Sequence, residues 1–113
     1  MKTLSDTKML FQLLGSKLRL RMLKLVESGE LYSAQIAHIV NLSAPSACRY
    51  LNAMAEAGLL KKRETTLLVF YSLAGRNTPG GKIARLACAR LEGDPVIAKD
   101  RRLLDKDRIL RNR

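Results

Sequence analysis

Residues 33–58 constrain the fold most, because two helical segments are separated there by too few residues for anything but a tight turn. Ser33 stands where a helix cap is expected, and Asn41 then interrupts the helical period. Asparagine tolerates the left-handed backbone that a tight interhelical turn requires. Ser43 is placed to cap a second helix, which Gly58 ends. Each helix has an apolar face, formed by Ile36, Ala37, Ile39 and Val40 in the first and by Ala47, Leu51 and Met54 in the second.

After Gly58 the period of the apolar residues changes from that of a helix to two. The sequence LLKKRETTLLVFYSL predicts a basic strand from Leu60 to Arg63, a tip at residues 64–66 and a strand from Leu67 to Leu73. The tip lacks the glycine or asparagine that tight hairpins prefer, so the type of turn stays open. A two-stranded hairpin directly after two such helices is predicted to be a wing.

Further helices are predicted on both sides of this unit. A first helix is expected from Ser5 to Gly15, and a second begins after Ser16 and ends before Gly29. The second helix has too many apolar residues for a narrow stripe, so it is expected to be the central core helix.

Two C-terminal helices are expected between residues 78 and 112. The last one has apolar pairs at 96/97, 103/104 and 109/110, and this seven-residue spacing predicts packing on another helix. Asp107 and Arg111 are spaced for an ion pair. We therefore predict one α+β domain over residues 1–113, mostly α, with helix, turn and helix at about 33–58, a two-stranded wing at about 59–73 and C-terminal helices at about 78–112.

The charge is large and unevenly distributed. The 113 residues have a net charge of +11, and residues 61–113 hold 14 Lys and Arg against 6 Asp and Glu. Such a field favours polyanions, of which nucleic acid is the simplest, while an anionic membrane and ribosomal RNA remain alternatives on charge alone. No long uncharged apolar run and no signal peptide precede this domain, so the chain is expected in the cytoplasm.

The exposed face predicted for the second helix suits DNA. It consists of Pro45, Arg49, Asn52 and Glu56, with Ser46 beside it. Hydroxyls of Ser43 and Ser46 lie near the positive end of the helix dipole, and Arg49 follows one turn later. Small side chains at 44–46 allow a close approach to the major groove, and Arg49 is suited to guanine or phosphate. The alternative is a plain surface helix with a solvated arginine.

The wing is expected to contribute further DNA contacts. Basic residues at its base are placed to bind phosphate, although they also suit a solvated strand edge. Its tip adds two hydroxyls. These candidate residues are Lys61, Lys62, Arg63, Thr65 and Thr66.

Three blocks of the sequence, in order, resemble the ArsR-type (ArsR/SmtB) winged-helix transcriptional regulators. They are LFQLLGSKLRLRMLKLVESGEL, QIAHIVNLSAPSACRYLNAMAEAGLL and VFYSL, within about residues 10–73. The resemblance implies a homodimer that binds a pseudo-palindromic operator on double-stranded DNA, with dimer contacts through the first and the C-terminal helices. It also implies DNA contacts by Ser43, Ala44, Pro45, Ser46, Arg49 and Tyr50.

The chain departs from the metal-sensing members of that family. Those members have ELCVC where this chain has ELYSA, so Tyr32, Ser33 and Ala34 replace the thiolates that would bind a soft metal. The fifth helix lacks the Asp and His residues of the other common family site, and His38 is the only histidine. No metal, no cofactor and no membrane partner are predicted, and the effector is not identified by the sequence.

Cys48 and Cys88 are candidate redox residues, because one lies at the flank of the second helix of the pair and the other near the expected dimer contact. Small apolar filling is the alternative for both, since neither has a clear thiolate-stabilising neighbour in sequence.

No catalytic motif is present in the sequence, and an enzyme is not expected. We predict a homodimeric repressor that acts by occupying its operator. The alternatives are a sequence-tolerant basic module that binds nucleic acid or protein without ligand regulation, and a sensor whose effector is organic or redox-linked.

Overall fold

The computed structural model describes residues 2–111. Its helices are α1 (Leu4–Leu14), α2 (Lys17–Glu27), α3 (Ser33–Val40), α4 (Ala44–Glu56), α5 (Pro79–Arg90) and α6 (Pro95–Arg111). Its strands are β1 (Leu31–Tyr32), β2 (Leu60–Glu64) and β3 (Val69–Leu73). The predicted class, mostly α with a helix-turn-helix followed by a wing, is confirmed.

The α3–α4 turn has the predicted backbone. Asn41 has φ 59° and ψ 52°, in the left-handed region. Two hydrogen bonds close the turn, from Asn41 N to His38 O at 3.3 Å and from Leu42 N to Ala37 O at 2.9 Å. Ser43 caps α4 as predicted, since its Oγ accepts from Ser46 N at 3.3 Å.

Two predicted helix starts were wrong. α1 begins at Leu4 rather than Ser5, because Thr3 and Asp6 form reciprocal capping hydrogen bonds of 3.0 and 3.1 Å. Ser33 does not cap α3. The cap position is held by Tyr32, which makes no side-chain capping bond, because this residue belongs to β1 and leads straight into the helix.

The sheet has one strand more than the predicted wing. Its order is β1-β3-β2, all antiparallel, and β1 adds the pairs Leu31–Tyr71 and Tyr32–Phe70. A strand of two residues is too short to give a period in sequence. β3 begins at Val69 rather than Leu67, because Thr65 N donates to Leu68 O at 2.8 Å and so closes the turn earlier.

The core is built around α2, as predicted. Five consecutive residues of α2, from Met22 to Val26, are buried. Lys24 is among them, and its Nζ lies 2.6 Å from Glu27 and 2.7 Å from Glu92, so the buried ammonium is paired. Around α2 lie the buried apolar residues Leu31, Ile36, Ala37, Ile39, Val40, Ala47, Leu51, Met54, Leu59, Leu60, Tyr71, Ala84, Cys88 and Leu104.

α5 begins at Pro79, close to the predicted start at about residue 78, and its first turn contains the PGG segment. A Cβ on Gly80 would lie 2.0 Å from the carbonyl oxygen of Gly58, and a Cβ on Gly81 would lie 2.0 Å from that of Gly75. Glycine is needed at both positions because the helix packs directly against backbone. This contact fixes α5 beside the end of α4 and the end of β3.

α6 is held against the rest of the chain by polar contacts and by two of the six residues in its apolar pairs. Arg21 donates twice to the buried carboxylate of Asp100, at 2.9 Å each, and Gln35 donates to Asp107 at 2.9 Å. The predicted pair of Asp107 and Arg111 is confirmed at 2.8 Å. Of the apolar pairs, Ile97 and Leu104 are buried, while the exposed members are Val96, Leu103, Ile109 and Leu110.

Candidate nucleic-acid interface

The first half of α4 projects a row of polar side chains. Ser43 donates from its hydroxyl to Ser46 Oγ at 3.0 Å, and Arg49 Nη2 donates to the same oxygen at 3.2 Å. Ala44 and Pro45 are exposed next to this row. The structure thus brings together five predicted residues, Ser43 to Ser46 and Arg49, at one end of one helix. A guanidinium that uses one of its five donors for Ser46 keeps four for other acceptors.

The opposite face of α4 holds the helix in place. Ala47, Leu51 and Met54 are completely buried. Asn52 was predicted to be exposed, but it is only partly exposed, because its Oδ1 accepts from the Tyr71 hydroxyl at 2.7 Å. Burial raises the pKa of Tyr71 to about 12, so the hydroxyl keeps its proton. This hydrogen bond joins α4 to β3, the central strand of the sheet.

Tyr50 is set apart from the row. Its side chain is half-buried against the core, and the guanidinium of Arg19 lies 5.7 Å from its ring centroid. Arg19 itself donates to Leu13 O at 2.7 Å and to Gln12 O at 3.3 Å, at the end of α1. Tyr50 therefore faces α2 and the end of α1 rather than the exposed side of α4.

The three basic residues of the wing differ in their surroundings. Lys61 is exposed, and no ion pair involves it among residues 2–111. Lys62 lies 3.2 Å from Glu64. Arg63 donates to both carboxylate oxygens of Glu30, at 3.0 and 2.7 Å. The wing therefore presents less uncompensated charge than its sequence indicated, and Glu30 was not singled out by sequence.

The tip of the wing is more apolar than predicted. Thr65 is occupied by the turn, where its Oγ1 accepts from Leu68 N at 3.0 Å, and Thr66 is exposed. Leu67 is 90% exposed and Leu68 41%. The sequence predicts both leucines within a strand, where neighbouring side chains point to opposite faces and one of the two would face the core. The early turn closure by Thr65 moves them to the tip.

The two cysteines lie in different environments. Cys48 is partly exposed, and Cys88 is completely buried in the core. Burial raises the pKa of the Cys88 thiol to about 11, which keeps it protonated at neutral pH. Within residues 2–111, no three His, Cys, Asp or Glu side chains are grouped so that they would hold a metal ion. No helix in this part of the chain is long and apolar enough to cross a membrane.

Comparison with known families gives one match, which includes the polar row on α4. Residues 16–62, which include α2, the helix-turn-helix and the start of the wing, match the model described as bacterial regulatory protein, arsR family. The matched segment covers 47 of the 113 residues, and it includes the polar row on α4.

Solved structures share the winged-helix fold of this chain. HlyU from Vibrio cholerae is 23% identical with a TM-score of 0.64, and the match covers 78% of this chain and 92% of that one. The homodimeric winged helix-turn-helix domain of Mb0332 from Mycobacterium bovis is 22% identical with a TM-score of 0.67, covering 81% and 83%. The transcriptional repressor BigR from Xylella fastidiosa is 21% identical with a TM-score of 0.62, covering 77% and 84%. No curated protein matches the chain.

Proposed function

We propose that this chain is a regulator of the arsR type, a homodimeric repressor that binds a pseudo-palindromic operator and blocks transcription by occupying it. The row of Ser43, Ser46 and Arg49 at the free end of α4 is the observation that carries the proposal. It combines hydroxyl donors, a guanidinium and small neighbours on a helix whose other face is buried, which is the chemistry of a helix that enters the major groove. The repressor BigR, which has a similar fold, supports the direction of regulation.

Side chains, more than backbone, would make the contacts of α4. Pro45 has no N–H, and the N–H of Ser46 already donates to Ser43 Oγ. Few backbone donors therefore remain for a phosphate at this end of the helix. Arg49 would grip guanine or phosphate with its remaining donors, while Ala44 and Pro45 would contact the groove through methyl and methylene groups. Base recognition by so few polar groups gives DNA shape a larger share of the specificity.

Exposed apolar side chains support the homodimer. Leu4, Met9 and Phe11 of α1 are 88%, 59% and 58% exposed, and Leu86 of α5 is 70% exposed. With the exposed residues of α6, they occur on the same elements that the sequence predicted for dimer contacts. Apolar side chains concentrated on three helices favour a partner over solvent. The domain of Mb0332 is homodimeric, which supports the same assembly.

The effector is proposed not to be a metal at the family's thiolate position. Tyr32 stands there, and its ring lies 6.1 Å from that of Phe70, edge to face, with the guanidinium of Arg111 4.8 Å from its centroid. These neighbours fix the side chain as part of the outer face of the sheet.

DNA binding would place the chain in the cytoplasm.

The proposal is tested by fluorescence anisotropy on duplexes that tile the DNA upstream of the chain's own gene, against scrambled duplexes at physiological salt. We expect one duplex to bind at least about a thousandfold more tightly than the scrambled ones. Arg49→Ala should reduce that preference by about tenfold or more, since one bidentate contact contributes roughly 1–3 kcal/mol.

Arg76→Ala is the matched control. Arg76 is exposed in the loop after β3, at the end of the wing hairpin opposite its tip, and its removal changes the net charge by the same amount. Equal, steeply salt-dependent binding to all duplexes would instead support the sequence-tolerant basic module, which the net charge of +11 favours. If Arg76→Ala reduced the preference for one duplex as much as Arg49→Ala, the proposed role of α4 in base recognition would be wrong.

A further inference from the structure

Arg63 has the geometry of an arginine that is already bound to an anion. Its Nε and Nη2 donate to the two oxygens of Glu30, at 3.0 and 2.7 Å, which is the paired geometry that a guanidinium also forms with a phosphate. Phosphate and carboxylate therefore compete for the same edge of the guanidinium. Glu30 lies 33 residues earlier, in the segment before β1, so only the folded chain brings the two together.

The guanidinium is also held from its face. Its central carbon lies 4.4 Å from the centroid of the Phe70 ring, and Phe70 is the cross-strand partner of Arg63. Phe70 in turn packs edge to face against Tyr32. The ring and the carboxylate fix both the plane and the direction of the guanidinium, so the side chain is ordered without DNA.

Glu30 remains charged in this arrangement. The Arg63 guanidinium holds the pKa of the Glu30 carboxyl below its usual value, and Lys61 acts in the same direction. A negative charge therefore lies next to Lys61 and Arg63 of the wing at neutral pH. Repulsion between this carboxylate and a DNA phosphate opposes the approach of the backbone to Arg63.

We propose that Glu30 is an internal competitor for the DNA phosphate at Arg63, so that the wild-type wing makes one phosphate contact fewer than its basic residues allow. This inference rests on the proposed DNA binding. In this role Glu30 limits the affinity of the chain for DNA. The limit applies to DNA of any sequence, because phosphate contacts are independent of base sequence. Such a contact adds equally to specific and non-specific binding, so Glu30 lowers both affinities and leaves their ratio unchanged.

The test is the salt dependence of binding to a random-sequence duplex, so that no operator needs to be known. Glu30→Gln should bind about five- to tenfold more tightly at roughly 0.1 M salt, and the slope of log K against log salt should steepen by about 0.9, the value for one added phosphate contact. Arg63→Ala should leave the wild-type slope nearly unchanged, and Glu30→Gln combined with Arg63→Ala should lose the gain.

Asp105→Asn is the control for net charge. Asp105 is exposed on α6 and changes the total charge by the same amount as Glu30→Gln. An equal gain in both variants would reduce the effect to general charge and overturn the inference. Weaker binding by Glu30→Gln would also overturn it, since Glu30 would then be positioning Arg63 for DNA.

DNA binding and the role of Glu30 are tested separately. A wild-type chain that binds no duplex even at low salt removes the proposed function and the inference together. A wild-type chain that binds duplex with a steep slope, while Glu30→Gln behaves identically, leaves DNA binding intact and overturns only the role of Glu30. Circular dichroism of each variant is the test that the exposed substitutions leave the fold unchanged.

Discussion

Cys88 and Cys48 differ in the properties that govern thiol chemistry. Cys88 is completely buried, and its pKa is raised to about 11, mainly by loss of solvation. The thiolate is the reactive species, so at pH 8 only about one Cys88 side chain in a thousand would be reactive even if a reagent reached it. Cys48 is partly exposed at the flank of α4. Of the two, Cys88 therefore fits the role of apolar filling.

We expect iodoacetamide at pH 8 to alkylate Cys48 at least roughly tenfold faster than Cys88 in the folded chain. Mass spectrometry of peptides after timed quenching measures both rates in one sample. In urea the rates should become similar, because unfolding removes the burial that raises the pKa of Cys88. Equal alkylation rates in the folded chain would show that α5 opens readily, and Cys88 would then be a candidate redox residue again.

At the scale of elements, the α3–α4 turn depends on one backbone conformation. Asn41 is the single non-glycine residue with positive φ among residues 2–111. Alanine in the left-handed region costs roughly 1–2 kcal/mol, whereas glycine adopts it freely. We expect Asn41→Ala to lower the free energy of unfolding by about 1 kcal/mol and Asn41→Gly to change it by less than about 0.5 kcal/mol.

Urea unfolding followed by circular dichroism, at one fixed protein concentration, gives both values. The pair of variants separates backbone strain from loss of the asparagine side chain, because both remove the side-chain amide. Equal destabilisation by alanine and glycine would mean that the amide, rather than the left-handed backbone, stabilises the turn.

Elements of this chain follow from sequence where the signal is periodic and local. The helix pair, its turn at Asn41, the cap at Ser43 and the core position of α2 were all predicted, because each depends on neighbours within four residues. The starts of α1 and β3 were wrong, because threonine side chains at residues 3 and 65 decide them. β1 was missed, since its two residues give no period.

Candidate site residues were predicted by position more than by environment. Sequence placed Arg49 on the exposed face, Ser46 beside it and Ser43 at the cap, and the structure joins the three by hydrogen bonds. It gave no sign that Glu30 pairs with Arg63 or that Tyr50 faces Arg19, because these contacts join elements far apart in the chain. Charge counted along a sequence therefore overstates the charge that a folded wing presents.

At the scale of the whole molecule, two kinds of surface coexist. The polar row of α4 and the wing form one, and the exposed apolar residues of α1, α5 and α6 form the other. The two surfaces lie on elements that pack directly together, since α1 packs against α4, α5 against β2 and β3, and α3 against both α4 and α6. The proposed binding to a pseudo-palindromic operator needs this combination, because a dimer would set the spacing of the two α4 helices.

We therefore expect the chain to sediment as a dimer at micromolar concentration, and Phe11→Asp and Leu103→Asp each to raise the dissociation constant by about tenfold or more. Both side chains are exposed in the single chain, at 58% and 41%, so a charge there should not unfold it. The expected loss comes from placing an unpaired carboxylate in an apolar contact.

Leu67→Asp serves as the control, because Leu67 is 90% exposed at the tip of the wing and lies on none of the three helices. Sedimentation velocity over a range of concentrations measures all four proteins. If the wild type is a monomer throughout, the homodimer is wrong, and one-to-one binding to a half-site should follow. If Leu67→Asp dissociates the dimer while the other two variants do not, the wing tip is the dimer interface. The surface of α4 proposed to bind DNA would then have to bind it without the wing tip.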